Sequence, residues 1–178
     1  MPELEEMWTN AMDEAKKRAA EMGRGDVLDY LRLREANDAA RRIGIEWLMN
    51  TFLDVAAEAN RRGLSLTIEK SDDSHRFAIG TTTMQGLKIQ IKSGIRSMTV
   101  EAGFPRIPQD GFIRGGGLAA AKISHFGMTK ENADLLLVRA NTNEKDAPFW
   151  VALDENNLRQ PFSTAHLKHH FAVFLGHI

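Results

Sequence analysis

Leu87-Lys88-Ile89-Gln90-Ile91-Lys92 alternates apolar and polar side chains without a break. A period of two marks a strand with one face buried and one face wet. The same period extends upstream: Leu64, Leu66 and Ile68 alternate with Ser65, Thr67 and Glu69, and Phe77 and Ile79 alternate with Arg76 and Ala78. Met98 and Val100 fit a fourth strand. The intervening residues, Ser71-Asp72-Asp73-Ser74 and 81–86, are polar turn formers. Short alternating strands on short turns predict an antiparallel meander of three to four strands with one polar face.

Before residue 63 the period is helical. Residues 4–22 are rich in Glu, Lys, Ala and Met and end at Gly23 and Gly25, which predicts one helix. A second runs from about Asp26 to Asn60, with Leu48, Phe52, Val55 and Ala59 on one apolar stripe and Arg61-Arg62-Gly63 as its stop. Its length, beyond 30 residues, predicts a break over 39–44.

Beyond the meander, residues 103–117 hold two prolines and five glycines and read as a long loop. Residues 118–124 fit a short helix. Two continuous apolar runs, 133–140 and 149–153, suit strands covered on both faces, with 141–147 as a polar turn between them. Ser163 caps a terminal helix that places Leu167, Phe171, Phe174 and Ile178 on one stripe. The order predicts an α+β fold with a mixed sheet: N-terminal helices, meander, short helix, two further core strands and a C-terminal helix. The expected organisation is one domain over 1–178, with a helical extension over 1–44 and a core over 45–178.

Composition narrows the function classes. The chain has 178 residues with 23 Lys and Arg against 24 Asp and Glu, so no whole-chain charge draws it to nucleic acid or membrane. With no cysteine, disulfides, thiolate zinc sites and thiol nucleophiles are excluded. The acidic start (Glu3, Glu5, Glu6) is unlike a secretory signal, and no apolar run is long enough to span a bilayer. The expectation is a cytoplasmic protein with no membrane partner. Nucleophile-elbow, H-E-x-x-H and Walker patterns are absent.

The chemistry-bearing candidates centre on the meander. Gln90 and Lys92 stand two apart on one strand, so both project from the same face, while Asp72 and Asp73 sit at the turn entering the preceding strand. A carboxylate with an amide or backbone oxygen can hold Mg²⁺, a hard cation that keeps several waters. The metal acidifies a bound water, and a neighbouring Lys offsets charge on a phosphate.

Asp73 followed by Leu-Lys-Ile-Gln-Ile-Lys-Ser, with Gln90-x-Lys92, resembles the active-site hairpin of the PD-(D/E)xK nuclease superfamily. Residues 56–64 resemble its entry helix, with Glu58 matching the helical acid, and 133–138 and 149–151 resemble its later core strands. The resemblance covers roughly residues 53–153. No proline precedes the acid, Gln90 stands where Glu is commoner, and Asp72 and Asp73 match equally well. The resemblance implies a metal-dependent nuclease-like protein that cleaves DNA phosphodiester bonds. Asp73 or Asp72, with Glu58, would hold Mg²⁺ or Mn²⁺; Gln90 would supply a weak oxygen ligand; Lys92 would activate the attacking water. Residues 88–122 carry six basic side chains against two acidic, and Arg96, Arg106, Arg114 and Lys122 are the candidates for DNA contact.

The bland alternatives stand beside these. Gln90 and Lys92 also suit the solvated face of a hairpin, Asp72-Asp73 an ordinary turn, and Gly115-Gly116-Gly117 a hinge rather than a phosphate nest. His166, His170 and His177 share a flank of the terminal helix at spacings that can hold a metal, yet no acid on that helix completes a site, so an exposed flank is preferred. The alternative function is a noncatalytic α+β binding or assembly module that forms a homodimer through its N-terminal helices.

Overall fold

The structure is a computed structural model that describes residues 2–140 and 146–177, without the side chains of 2–6 and 8. The expected turn over 141–147 therefore falls mostly outside the described residues, as does Ile178. Two compact units divide the chain, Met1–Ala39 and Ala40–Ile178. The first holds α1 (Pro2–Glu21) and the opening turns of α2 (Gly25–Arg61). Within it, Lys16 of α1 bridges to Glu35 of α2.

The second unit holds the rest of α2, an eight-stranded sheet and α3 (Thr164–Leu175). The strands are β1 (Thr67–Lys70), β2 (His75–Ile79), β3 (Thr82–Ser93), β4 (Arg96–Phe104), β5 (Ala119–His125), β6 (Ala133–Arg139), β7 (Pro148–Leu153) and β8 (Arg159–Pro161). The order across the sheet is β1-β3-β4-β5-β6-β7-β8, with β2 also paired to β3. The α+β class holds. Every pairing is antiparallel, however, so the sheet is a meander throughout and not mixed. Apart from the loop over 105–118, the connections from β3 to β8 are shorter than the dozen or so residues that a parallel crossover requires.

Residues 118–124 are the clearest departure. Leu118-Ala-Ala-Ala has helical propensity, yet Ala119–His125 is a strand between β4 and β6. Tertiary burial overrides propensity here: Ala119 and Ala121 have no exposed surface, and only methyl-sized side chains leave room for the helices above them. The predicted break in α2 is also absent. Gly44 lies within the helix because a Cβ there would stand 2.5 Å from Leu137, and its carbonyl accepts the Trp150 indole N–H at 2.9 Å. The glycine is a packing position, not a hinge.

Alternation assigns the two faces. Ile89, Ile91, Met98, Val100, Ala121, Ile123, Leu135 and Leu137 point to one side, where Leu48, Phe52 and Ala56 of α2 and Leu167, Phe171 and Phe174 of α3 cover them in a single core. On the other face, among the described residues of this unit, the packed apolar residues come from strands and a loop. The apolar end of that face, Phe77, Met84, Ala120, Leu136 and Val151, packs against Ile113 of the loop after β4. That loop is tied down by Asp110, which is buried and accepts from Arg76 Nη2 at 3.0 Å and from the Arg106 backbone N–H at 3.3 Å.

Gly86 and Gly103 face each other across β3 and β4, where a Cβ on Gly86 would stand 2.0 Å from the Ala102 carbonyl oxygen. Backbone cannot yield as a side chain tip can. Gly86→Ala is expected to destabilise the fold by about 3 kcal/mol in urea titration. Gly25→Ala, with open space around it, should be neutral or slightly stabilising.

Candidate functional site

The open polar end of the sheet gathers the residues singled out in the meander. Gln90 and Lys92 do share this face, as their spacing predicts. Each is locally engaged: Gln90 Nε2 donates to Ser97 Oγ at 3.0 Å, and Lys92 Nζ pairs with Glu69 Oε1 at 2.9 Å. Glu69 is directly opposite Gln90 in the β1–β3 register. The carboxylate that accompanies Gln90 and Lys92 is thus Glu69, which the sequence reading passed over as the polar member of an ordinary alternation.

The expected metal set of Asp72, Asp73, Glu58 and Gln90 does not assemble. Ser71 sits opposite Lys88, its N–H donating to the Lys88 carbonyl at 2.9 Å. The aspartates that follow lie farther along, and Lys88 to Lys92 alone spans about 13 Å of strand. Asp72 Oδ1 accepts the Ser74 backbone N–H at 3.0 Å and also the Ser74 hydroxyl, and these bonds hold its carboxyl below the usual range. Asp73 is exposed on the same connection. Glu58 is on α2, on the helix-covered side of the sheet, paired with Arg62 at 2.5 Å. The sheet itself separates it from Gln90. Among the described residues no three of His, Asp and Glu converge closely enough to hold a metal ion.

The basic residues do not form one patch either. Arg96 caps the C-terminal end of α3, with Nη1 reaching the Phe174 carbonyl at 3.4 Å, a favourable place for a cation against the helix dipole. Arg106 lies at the other end of β4, over the Phe104 ring at 3.9 Å. The strand between them is about 26 Å long. Arg114 is exposed in the glycine-rich loop. Lys122 belongs to a cross-strand row, Lys88–Glu101–Lys122–Asp134, in which charge alternates in sign. Glu101 also meets His75 Nε2 at 2.7 Å. A cleft of about 410 Å³ beside Lys122 is lined by Asp134, Asp154 and Glu155. The face is hydrogen-bonding but nearly charge-balanced, a poor match for a polyanion.

A second cluster was hidden from the sequence. His125 of β5 is buried, and its Nε2 meets Nδ1 of His170 on α3 at 3.0 Å, the two rings stacked. His170 is therefore turned inward, while His166, His169 and His177 are exposed, and no metal set forms on the flank. The signal lay in residues 118–124: as a strand, that run places His125 on the same face as the buried Ile123. Burial pushes His170 down to about 4, with the His125, His169 and His166 charges adding to the effect. Burial also lowers His125, helped by His169 and opposed by Glu131. His125 Nδ1 is buried without a partner.

Comparison with protein-family models, curated proteins and solved structures finds no match to this chain.

The histidine pair predicts an acid-sensitive fold. His170 is neutral when folded and protonates near its ordinary value when unfolded, so the unfolded chain binds more protons between about pH 6.5 and 4. Stability is full at neutral pH, falls across that window and levels off below it. The expected loss from His170 is on the order of 2 kcal/mol, discounted for its partial exposure. Thermal melts across this range should show the slope, and the His125→Phe/His170→Phe double variant, which removes both polar partners together, should flatten it.

Proposed function

We propose that this chain is a noncatalytic binding and assembly module that self-associates through its N-terminal helical unit. The observation that carries this reading is the thin core of that unit. In Met1–Ala39 the only buried hydrophobic side chains among the described residues are Ala19 and Leu31. Met7, Met22, Tyr30 and Leu33 are exposed there. A helical unit below about 40 residues, with no cysteine to staple it, generally needs a metal or an oligomeric partner to hold its shape. Tyr30 and Leu33 lie three apart, on one face of α2, and give a partner a place to dock. A cytoplasmic setting suits the cysteine-free composition.

One cluster favours a second reading, the metal-dependent nuclease acting on DNA. Glu69, Gln90 and Lys92 sit together on the open face, and one carboxylate with an amide oxygen and waters is a minimal Mg²⁺ site. Against it, Glu69 stands without a second acid and its charge is already matched by Lys92.

Two measurements separate the readings. Under the assembly reading, the melting temperature and the sedimentation coefficient rise with protein concentration, and Tyr30→Glu with Leu33→Glu yields a folded monomer whose melting temperature no longer depends on concentration. Under the nuclease reading, Mn²⁺ raises the melting temperature and supports DNA cleavage, and Glu69→Ala and Lys92→Ala each abolish the cleavage. A concentration-independent monomer would remove the assembly reading.

A further inference from the structure

The end of the sheet where β3 turns into β4 presents apolar side chains that neither the core nor the turns account for. Ser93 pairs with Arg96 across a two-residue turn, in which Gly94 takes the left-handed backbone at φ +59°. That geometry wants glycine first and asks nothing apolar of the residue after it. Ile95 fills the second place and is 93% exposed. The neighbouring turn repeats the feature. Phe126, directly after β5, is 75% exposed and precedes Gly127, which is also left-handed at φ +76°. The Phe126 backbone N–H donates to the Ser97 carbonyl at 2.9 Å, so the two tips stand side by side.

Cations surround these tips. Arg96 adjoins Ile95, and Lys130 lies in the short helical turn Thr129–Glu131 after Phe126. Arg61 ends α2, just before the loop that leads to Thr67, the partner of Lys92 beside the hairpin. None of the three has an ion pair among the described residues. Glu131 is the acid that opposes them, because Glu58 and Glu69 are matched by Arg62 and Lys92. A globular partner needs a continuous patch of roughly 800 Å² a side, which two side chains on glycine-flanked tips do not supply. A bilayer needs only apolar tips that reach below the headgroups, with cations level with anionic phosphates. Among the described residues no helix is long and apolar enough to cross a membrane, so the contact is with the surface of one leaflet.

We propose that this end of the sheet docks on an anionic lipid surface, with Ile95 and Phe126 inserted at the interface and Arg61, Arg96 and Lys130 against the headgroups. The surface lies wholly within the unit Ala40–Ile178 and does not rest on assembly through the helices.

The test sediments the full chain with phosphatidylcholine vesicles that contain about one third phosphatidylglycerol. Wild type should pellet with them and bind pure phosphatidylcholine about tenfold more weakly. Ile95→Asn/Phe126→Asn replaces exposed side chains only, so it should keep the fold by circular dichroism and weaken binding roughly tenfold. Arg61→Ala/Lys130→Ala should weaken binding about threefold and reduce its sensitivity to salt. The emission added by Phe126→Trp should be quenched by vesicles with brominated acyl chains. A chain that does not pellet with anionic vesicles overturns the proposal. Binding that either pair of substitutions leaves unchanged overturns it too, as does added emission that the brominated chains leave unquenched. If Ile95→Asn/Phe126→Asn instead lowers the sedimentation coefficient of the lipid-free chain, with no vesicle binding by wild type, the tips belong to a protein contact. Should the double variant not fold, Ile95→Asn alone carries the same expectation.

Discussion

One face of the sheet must be sealed by α2 and α3, and the rest of the molecule follows from that. The seal depends on size. Ala102, Ala119 and Ala121 occupy the middle of the covered face and are fully buried, so Phe52, Phe171 and Phe174 have space to interlock above them, with ring centroids 5.2 Å and 6.2 Å apart. At one edge of the seal Gly44 does the same for Leu137 and Trp150. Larger side chains at these positions would lift the helices from the sheet and open voids or force strain.

Once that face is fixed, strand parity decides what can meet. Even-numbered residues of β3 and odd-numbered residues of β4 point away from the helices, which puts Lys88, Gln90, Lys92, Ser97, Thr99 and Glu101 together on the open side. Any acid on α2 is thereby kept from them, Glu58 included. A one-residue slip would reverse every one of these assignments and bury the lysines. The open side is also self-compensating, because cross-strand neighbours alternate in sign, and surface pairs of this kind add little stability each. They leave the face hydrogen-bonding and nearly charge-balanced.

Much of the fold was legible in the residues. The two N-terminal helices, the alternation of β1 to β4, the apolar runs of β6 and β7 and the Ser163 start of α3 all follow local rules of period and capping. What local rules missed was set from a distance. The strand over Ala119–His125 is imposed by neighbours on both sides against the preference of its alanines. The unbroken α2 exists because Gly44 serves a close contact with residues about a hundred positions away. β8 is three residues long and ends in Pro161, too short for any periodicity. The candidate site was legible in part. Same-face projection of Gln90 and Lys92 needs only the period of two, whereas the partner acid depends on register, and register put Glu69 there instead of Asp72 or Asp73.

The histidine pair acts on α3. His170 is on the side of the helix that faces β5, one position before Phe171, which packs on Phe52 and Phe174. A buried polar ring that lacks a partner on one nitrogen costs about 1–3 kcal/mol, and His125 carries that cost at Nδ1 while its other nitrogen holds α3 in place. When both rings are protonated the contact becomes repulsive, and little else polar fastens α3 at its middle: His166 bonds back to Ser163, and Arg96 acts at the C-terminal end. Loosening at His170 therefore loosens the cover that seals the core, which is why a pair of rings at one point of α3 can make the whole unit acid-sensitive.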